Sequence, residues 1–322
     1  MKAVVLKRYG GLDALELKDL PTPRPNAGQV LVRVHASSIN DWDWEVIRGR
    51  SLVVRMLHGL FTPKVPIIGC DIAGRVEAVG EGVKRLRVGD EVYGDLCMQG
   101  FGAFAELACA SEAELALKPA GMTFEQAAAI PQAGMLAVQG LIDVGKIQPG
   151  QKVLLNGAGG GVGTFALQIA KRLYDADVTV VDRADKLDAL RALGADRVVD
   201  YREEDFTRSG GPYDLILDVK TNRSPFAYAR ALKPEGIYAT VGGNIPRLIQ
   251  TAIVGPLISR LSNRHVRVVG LKPNKDLLYM NGLFEAGQLA PVIDRHYTLA
   301  DIADAFRRFG AADHKGKIVI TL

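Results

Sequence analysis

The stretch Asn156–Gly163 reads NGAGGGVG, and five of its eight residues are glycine. It follows the apolar run QKVLL and opens into TFALQIAKRL. Glycines between a strand and a helix let the backbone come close to a phosphate. The helix then aims its unpaired N–H groups and positive dipole end at the anion. Read from its last glycine, the motif is Ala158-x-Gly160-x-x-Gly163, with alanine where the strict fingerprint has glycine. Gly160 suits close approach to a pyrophosphate, and Gly163 suits tight packing of the helix on the strand. Asp182 lies nineteen residues beyond Gly163, at the end of the next strand candidate, where a carboxylate can accept from both ribose hydroxyls. Gly159, Gly160, Gly161, Val162, Gly163 and Asp182 therefore form a candidate dinucleotide site. The plainer reading is a strand-to-helix turn that uses glycine for its geometry alone; spacing and acid together favour the former.

The elements that must position this site follow a clear rhythm. Strand candidates fall at 153–156, 178–182, 197–200, 214–218, 236–241 and 266–270, with helical patterns at 162–173, 185–193 and 224–232 between them. Short apolar strands alternating with helices predict a doubly wound parallel sheet covered on both faces. The first 120 residues are instead rich in strand patterns: QVLVRVHA (29–36) alternates as a half-buried strand does, and CDIAGRVEAVG (70–80) and LRVGDEVYG (86–94) are extended runs broken by glycine. The expected fold is α/β, with a dinucleotide-binding domain over 123–260. A β-rich domain over 1–122 is rejoined by 261–322, whose last strand is GKIVITL.

At 322 residues, two domains are the natural expectation. The 40 basic and 36 acidic residues are spread along the chain without a basic block, so nucleic acid is not an expected partner. Three cysteines, Cys70, Cys97 and Cys109, make no disulfide framework and point to a reducing cytoplasm. MKAVVLKRYGG does not read as a signal peptide. SLVVRMLHGLF (51–61) and LIQTAIVGPLISRL (248–261) are apolar but interrupted and short, so they read as core or lid segments rather than membrane contacts.

The chain as a whole resembles the medium-chain dehydrogenase/reductase superfamily, in its zinc-independent, quinone-oxidoreductase-like branch. The resemblance rests on ASSIND (36–41), PIIGCDIAGRVEAVGEGV (66–83), VGDEVYG (88–94), GAFAEL (102–107), IQPGQKVLLNGAGGGVG (147–163), LGADRVVDY (193–201), YDLILDV (213–219) and GKIVIT (316–321). It implies a GroES-like catalytic domain and a Rossmann domain, with the cofactor in the cleft and a homodimer as the assembly. Zinc-dependent relatives use Cys, His and Cys; the matching positions here are Asn40, Cys70 and Gln132, a poor zinc set. Without a Lewis acid, a quinone or α,β-unsaturated carbonyl is the favoured acceptor, because it spreads the developing charge.

Within that resemblance, Asn40 is the expected donor to the substrate oxygen, with Asp43 and Trp42 beside it; the alternative for Asn40 is a turn-forming role. Trp42 and Trp44 are candidates for a flat wall against a ring. Lys272 and Asn274 match a loop near the substrate. Leu136 replaces a threonine near the nicotinamide, and Val219 and Gly242 close the expected nucleotide contacts. Asp182 favours an unphosphorylated ribose, whereas Lys186 and Tyr201, with Arg183, match residues that hold a 2′-phosphate. The cofactor is accordingly NADPH or NADH, with the balance toward NADPH. Two other functions fit the same residues: reduction of simple aldehydes or ketones, and a non-catalytic nucleotide-binding sensor or membrane-surface protein.

Overall fold

The computed structural model describes all 322 residues, and the chain divides into two compact units. The first comprises Met1–Gln132, Pro273–Glu285 and Ile293–Leu322. It opens with β1 (Lys2–Leu6) paired antiparallel to β2 (Leu15–Asp19). The main sheet starts with β3 (Gln29–Ser38), followed by the helices α1 (Asp41–Arg48) and α2 (Leu52–His58). Four strands continue it: β4 (Asp71–Val79), β5 (Glu91–Asp95), β6 (Leu107–Ser111) and β7 (Leu115–Leu117). Helix α3 (Phe124–Ala129) begins at a capping box in which Thr123 and Gln126 satisfy each other's free backbone amides. Strand β3 is not half-buried as its alternation suggests. It pairs with β4 and β6, so most of its side chains are enclosed. Val30, Val32, Val34, Ile72, Val76, Val92 and Leu115 form one core there.

The second unit comprises Ala133–Lys272 and Ala286–Val292. The chain enters it within α4 (Pro131–Val138). Its sheet is built from β8 (Lys152–Asn156), β9 (Asp177–Asp182), β10 (Arg197–Asp200), β11 (Tyr213–Asp218), β12 (Leu232–Thr240) and β13 (His265–Val268). The helices α5 (Gly161–Tyr174), α6 (Ala184–Ala192), α7 (Pro225–Ala231) and α8 (Ile245–Leu261) connect them. The strand order is β10-β9-β8-β11-β12-β13, and every pairing is parallel. This is the doubly wound order, whose direction reverses between β8 and β11. Because β13 is hydrogen-bonded to β12, the unit continues past 260, to Lys272.

The chain returns to the first unit with α9 (Leu277–Glu285), β14 (Ile293–Thr298), α10 (Ile302–Gly310) and β15 (Lys317–Thr321). Strand β15 runs antiparallel to β3, so the last residues complete the sheet begun by Gln29. No helix is long and apolar enough to cross a membrane. The two apolar stretches are only partly core: α2 buries only Val54, whereas α8 sends Ile258 into the core beside Val254 and exposes Ile249, Ile253, Leu257 and Leu261.

Candidate active site

In the second unit, the glycine-rich turn leaves β8 at the reversal point of the sheet. Gly157 has φ +83°, a left-handed conformation open mainly to glycine. Gly160 caps α5 in an extended conformation. The amides of Gly161, Val162 and Gly163 then begin the helix, and a first turn has no acceptors of its own for them. A Cβ on Gly163 would lie 2.4 Å from the Ala158 Cα, so only glycine permits this approach of helix to loop. The side of the loop is lined by charge. The Asp182 carboxylate, at the end of β9, accepts from the Gly159 amide at 2.7 Å and from the Arg183 amide at 2.9 Å. The Lys186 ammonium lies 3.8 Å from the same carboxylate and is itself buried. Desolvation pushes the lysine's pKa down, and the Asp182 charge opposes that shift. Arg183 is bound to Asp185, and Tyr201 follows β10, with its backbone amide 3.4 Å from the Asp182 carbonyl.

The loops after β11 and β12 form the other side. Val219 donates its amide to the Asn156 carbonyl, and the Gly242 carbonyl accepts from the Thr221 hydroxyl. The loop after β11 hangs on Asp218, a buried acid that sequence reading passed over and whose backbone carbonyl also takes the Val241 amide after β12. It accepts from Asn156 at 2.8 Å, from the Lys220 and Thr221 amides at 2.9 Å and from the Tyr238 hydroxyl at 2.8 Å. Leu136 is half-buried on α4. Gly159, Gly160, Gly161, Val162, Gly163, Asp182, Arg183, Lys186, Tyr201, Val219 and Gly242 thus gather at the carboxyl ends of five adjacent strands. That edge, at its reversal point, is where this sheet type binds nucleotides. The cradle fits a pyridine dinucleotide: glycines clear a path to the helix terminus, and a carboxylate and an ammonium stand where a ribose would lie.

In the first unit, Asn40 ends the segment after β3 and caps α1. The Asp43 carboxylate accepts from its backbone amide at 2.9 Å, which fixes the turn. The Asn40 side chain donates to Asp71 at 2.9 Å and accepts from the ammonium of Lys317 in β15. That ammonium also reaches the Ile39 carbonyl at 3.0 Å and Asp71 at 3.3 Å. Asp71 further accepts from Ser38 at 2.7 Å and from the Gln132 amide at 3.1 Å. The Gln132 side chain donates to Asp95, which also accepts from the Cys97 amide. All of these residues are buried. Burial, with Asp71 adding repulsion, raises Asp43 to about 7 and Asp95 to about 6.

Asn40, Cys70 and Gln132 do converge around Asp71, but they do not suit zinc. Burial holds the Cys70 proton on, with the Asp43 and Asp95 charges adding to the effect. The Asn40 oxygen is occupied by an ammonium, whose charge opposes a dication. Other expectations change. Trp42 and Trp44 form no common wall: two residues apart on a helix, they point to opposite sides. Trp42 meets His58 edge-on, whereas Trp44 stacks on Phe306. Asn274 is committed to the backbone of Asp95 through both ends of its amide and so clamps the end of β5. Lys272 bonds Gln139 through its backbone.

The alcohol dehydrogenase GroES-like domain profile matches residues 26–120, and a zinc-binding dehydrogenase profile matches residues 193–320. The chloroplast envelope quinone oxidoreductase homolog of Arabidopsis thaliana is 32% identical over 334 residues, covering 99% of this chain and 98% of that protein. The chain belongs to the medium-chain dehydrogenase/reductase superfamily. Among other members of this superfamily, the chloroplastic NADPH-dependent alkenal/one oxidoreductase of Arabidopsis thaliana is 30% identical over 341 residues, covering 99% of this chain and 79% of that protein. The quinone oxidoreductase of Coxiella burnetii superposes with a TM-score of 0.88 at 28% identity, covering 100% of this chain and 99% of that one. Membership makes this chain an oxidoreductase that uses a pyridine nucleotide, and the carboxyl edge of the second unit's sheet is built accordingly.

Proposed function

We propose that the protein reduces a quinone or α,β-unsaturated carbonyl with NADPH, without zinc. The observation that carries this reading is the exchange of metal ligands for an amide network. Where a dehydrogenase of this superfamily would hold zinc, this chain has Asn40 clamped by Lys317 and Asp71. The bound nicotinamide supplies the hydride. The chain's own part is to hold the nucleotide and to stabilise charge on the acceptor oxygen. A conjugated acceptor delocalises that charge, so one amide donor beside a lysine ammonium suffices where a simple ketone would call for a Lewis acid or a strong proton donor. The names of the similar proteins, an alkenal/one reductase and quinone oxidoreductases, point the same way.

The preference for NADPH rests on Lys186. Asp182 has two backbone amides and an ammonium around it, so its repulsion of a 2′-phosphate is offset. A reducing cytoplasm and a homodimer complete the reading; the free thiols Cys70, Cys97 and Cys109 accord with the first. The test is NADPH against NADH oxidation over a panel of quinones, enones and saturated ketones, with chelator present. Turnover confined to conjugated acceptors and indifferent to chelator supports the reading. Comparable turnover of saturated ketones, or loss of activity restored by zinc, would overturn it.

A further inference from the structure

The segment from Ser51 to Phe61 is built inside out. Helix α2 turns Val54 inward, with Arg55 and His58 half-buried beside it, while Leu52, Val53, Met56 and Leu57 are exposed. At 3.6 residues per turn these four span about 140° of the helix, a continuous apolar face. The following turn adds Leu60 and Phe61; Met56 is 70% and Phe61 83% exposed.

The inner side of this segment is pinned. The Tyr9 hydroxyl donates to the Gly59 carbonyl at 2.7 Å, and Arg55 donates to the Gly49 carbonyl at 2.6 Å. The His58 ring meets Trp42 at 5.5 Å and Phe101 at 5.2 Å, edge-on to both. At Gly59, φ is +114° and a Cβ would lie 2.1 Å from the Thr62 carbonyl oxygen, so glycine sets the turn that brings Leu60 and Phe61 out. The apolar face is therefore presented by a fixed scaffold. An apolar face of this extent, unlike scattered surface residues, marks a contact.

Charge identifies what it contacts. From Val46 to Cys70 the sequence holds Arg48, Arg50, Arg55 and Lys64 but no Asp or Glu. Arg48 is paired with Glu45, Arg55 is turned inward, and Arg50 and Lys64 are exposed and flank the apolar face in sequence. A second copy docked face to face would bring cations against cations with no carboxylate from this segment to receive them. An anionic bilayer offers both requirements, negative headgroups and an apolar interior. We propose that the 52–61 face docks on the surface of an anionic phospholipid bilayer. Leu52, Met56, Leu57 and Phe61 enter the acyl boundary, and Arg50 and Lys64 meet headgroup phosphates.

The test is co-sedimentation of the full chain with vesicles of phosphatidylcholine, with and without phosphatidylglycerol; it needs no turnover, so it stands apart from the catalytic reading. The wild type should bind the anionic vesicles, less so as salt rises, and the neutral ones weakly. Met56→Glu/Phe61→Glu should reduce binding about tenfold or more, and Arg50→Gln/Lys64→Gln should remove the preference for anionic lipid. Ile253→Glu, on the exposed side of α8, should leave binding unchanged and controls for general stickiness. Wild type that stays in the supernatant overturns the proposal, as does equal binding by the Met56/Phe61 variant. A smaller assembly for that variant in size-exclusion chromatography, with no wild-type binding to vesicles, would assign the face to a second copy instead.

Discussion

Asn40 has its amide orientation dictated by chemistry. Lysine can only donate and a carboxylate can only accept, so Lys317 fixes the Asn40 oxygen and Asp71 fixes its nitrogen. Lys317 is thereby a positioning residue for the proposed donor. Lys317→Gln should lower kcat about ten- to a hundredfold while leaving KM for the nucleotide nearly unchanged, because positioning errors act on the reacting geometry. In an Asn40→Ala background the same change should cost little further, since both act through one amide; equal losses in the two backgrounds would refute the coupling. At the nucleotide, Lys186→Ala should raise KM for NADPH about tenfold and change KM for NADH less, the expected result if its ammonium meets a phosphate. Steady-state kinetics with both cofactors measures this. Asn40 and Lys186 were legible in the sequence, through motif position and spacing. Lys317 was not, because its partner lies 277 residues away and no local pattern marks a buried lysine.

The elements were easier to read than their surroundings. A parallel strand enclosed by helices is a short apolar run, and each of the six was visible as one. The glycine pattern exposed the β8–α5 turn because the requirement is local. Gly163→Val should push α5 off Ala158, where even a Cβ would sit 2.4 Å from the Cα, and cost about 1–3 kcal/mol of stability together with nucleotide affinity. Urea unfolding and nucleotide titration report the two losses. Asp218 shows what pattern cannot reveal. It ends an apolar strand as any loop-facing acid might, yet its carboxylate holds the loop after β11, Asn156 and Tyr238. The direction of α2 was likewise hidden: an apolar helix face in sequence does not state whether it looks inward.

At the scale of the whole molecule, buried acids set the response to pH. Asp43 is raised to about 7 chiefly by desolvation, and Asp95 to about 6 for the same reason. Above pH 4 the unfolded chain releases these protons while the folded chain retains them, so the folded state binds more protons. Stability therefore falls as pH rises from about 4 to about 7, then levels. Surface acids act in the opposite sense. Glu91 and Glu112 are held below their ordinary values by Lys118 and by the Arg85 amide, and their contribution is lost as pH falls toward and below the ordinary carboxylate range. The two trends place maximal stability on the mildly acidic side of neutrality. Asp43→Asn keeps an acceptor for the Asn40 amide and removes the titration, so it should flatten the decline between pH 5 and about 7.5 without abolishing the fold. Urea midpoints at several pH values for both proteins decide the matter. Parallel curves would mean that Asp43 is already ionised across this range, and that the first unit pairs its charge more fully than Cys70, Asn40 and Lys317 account for.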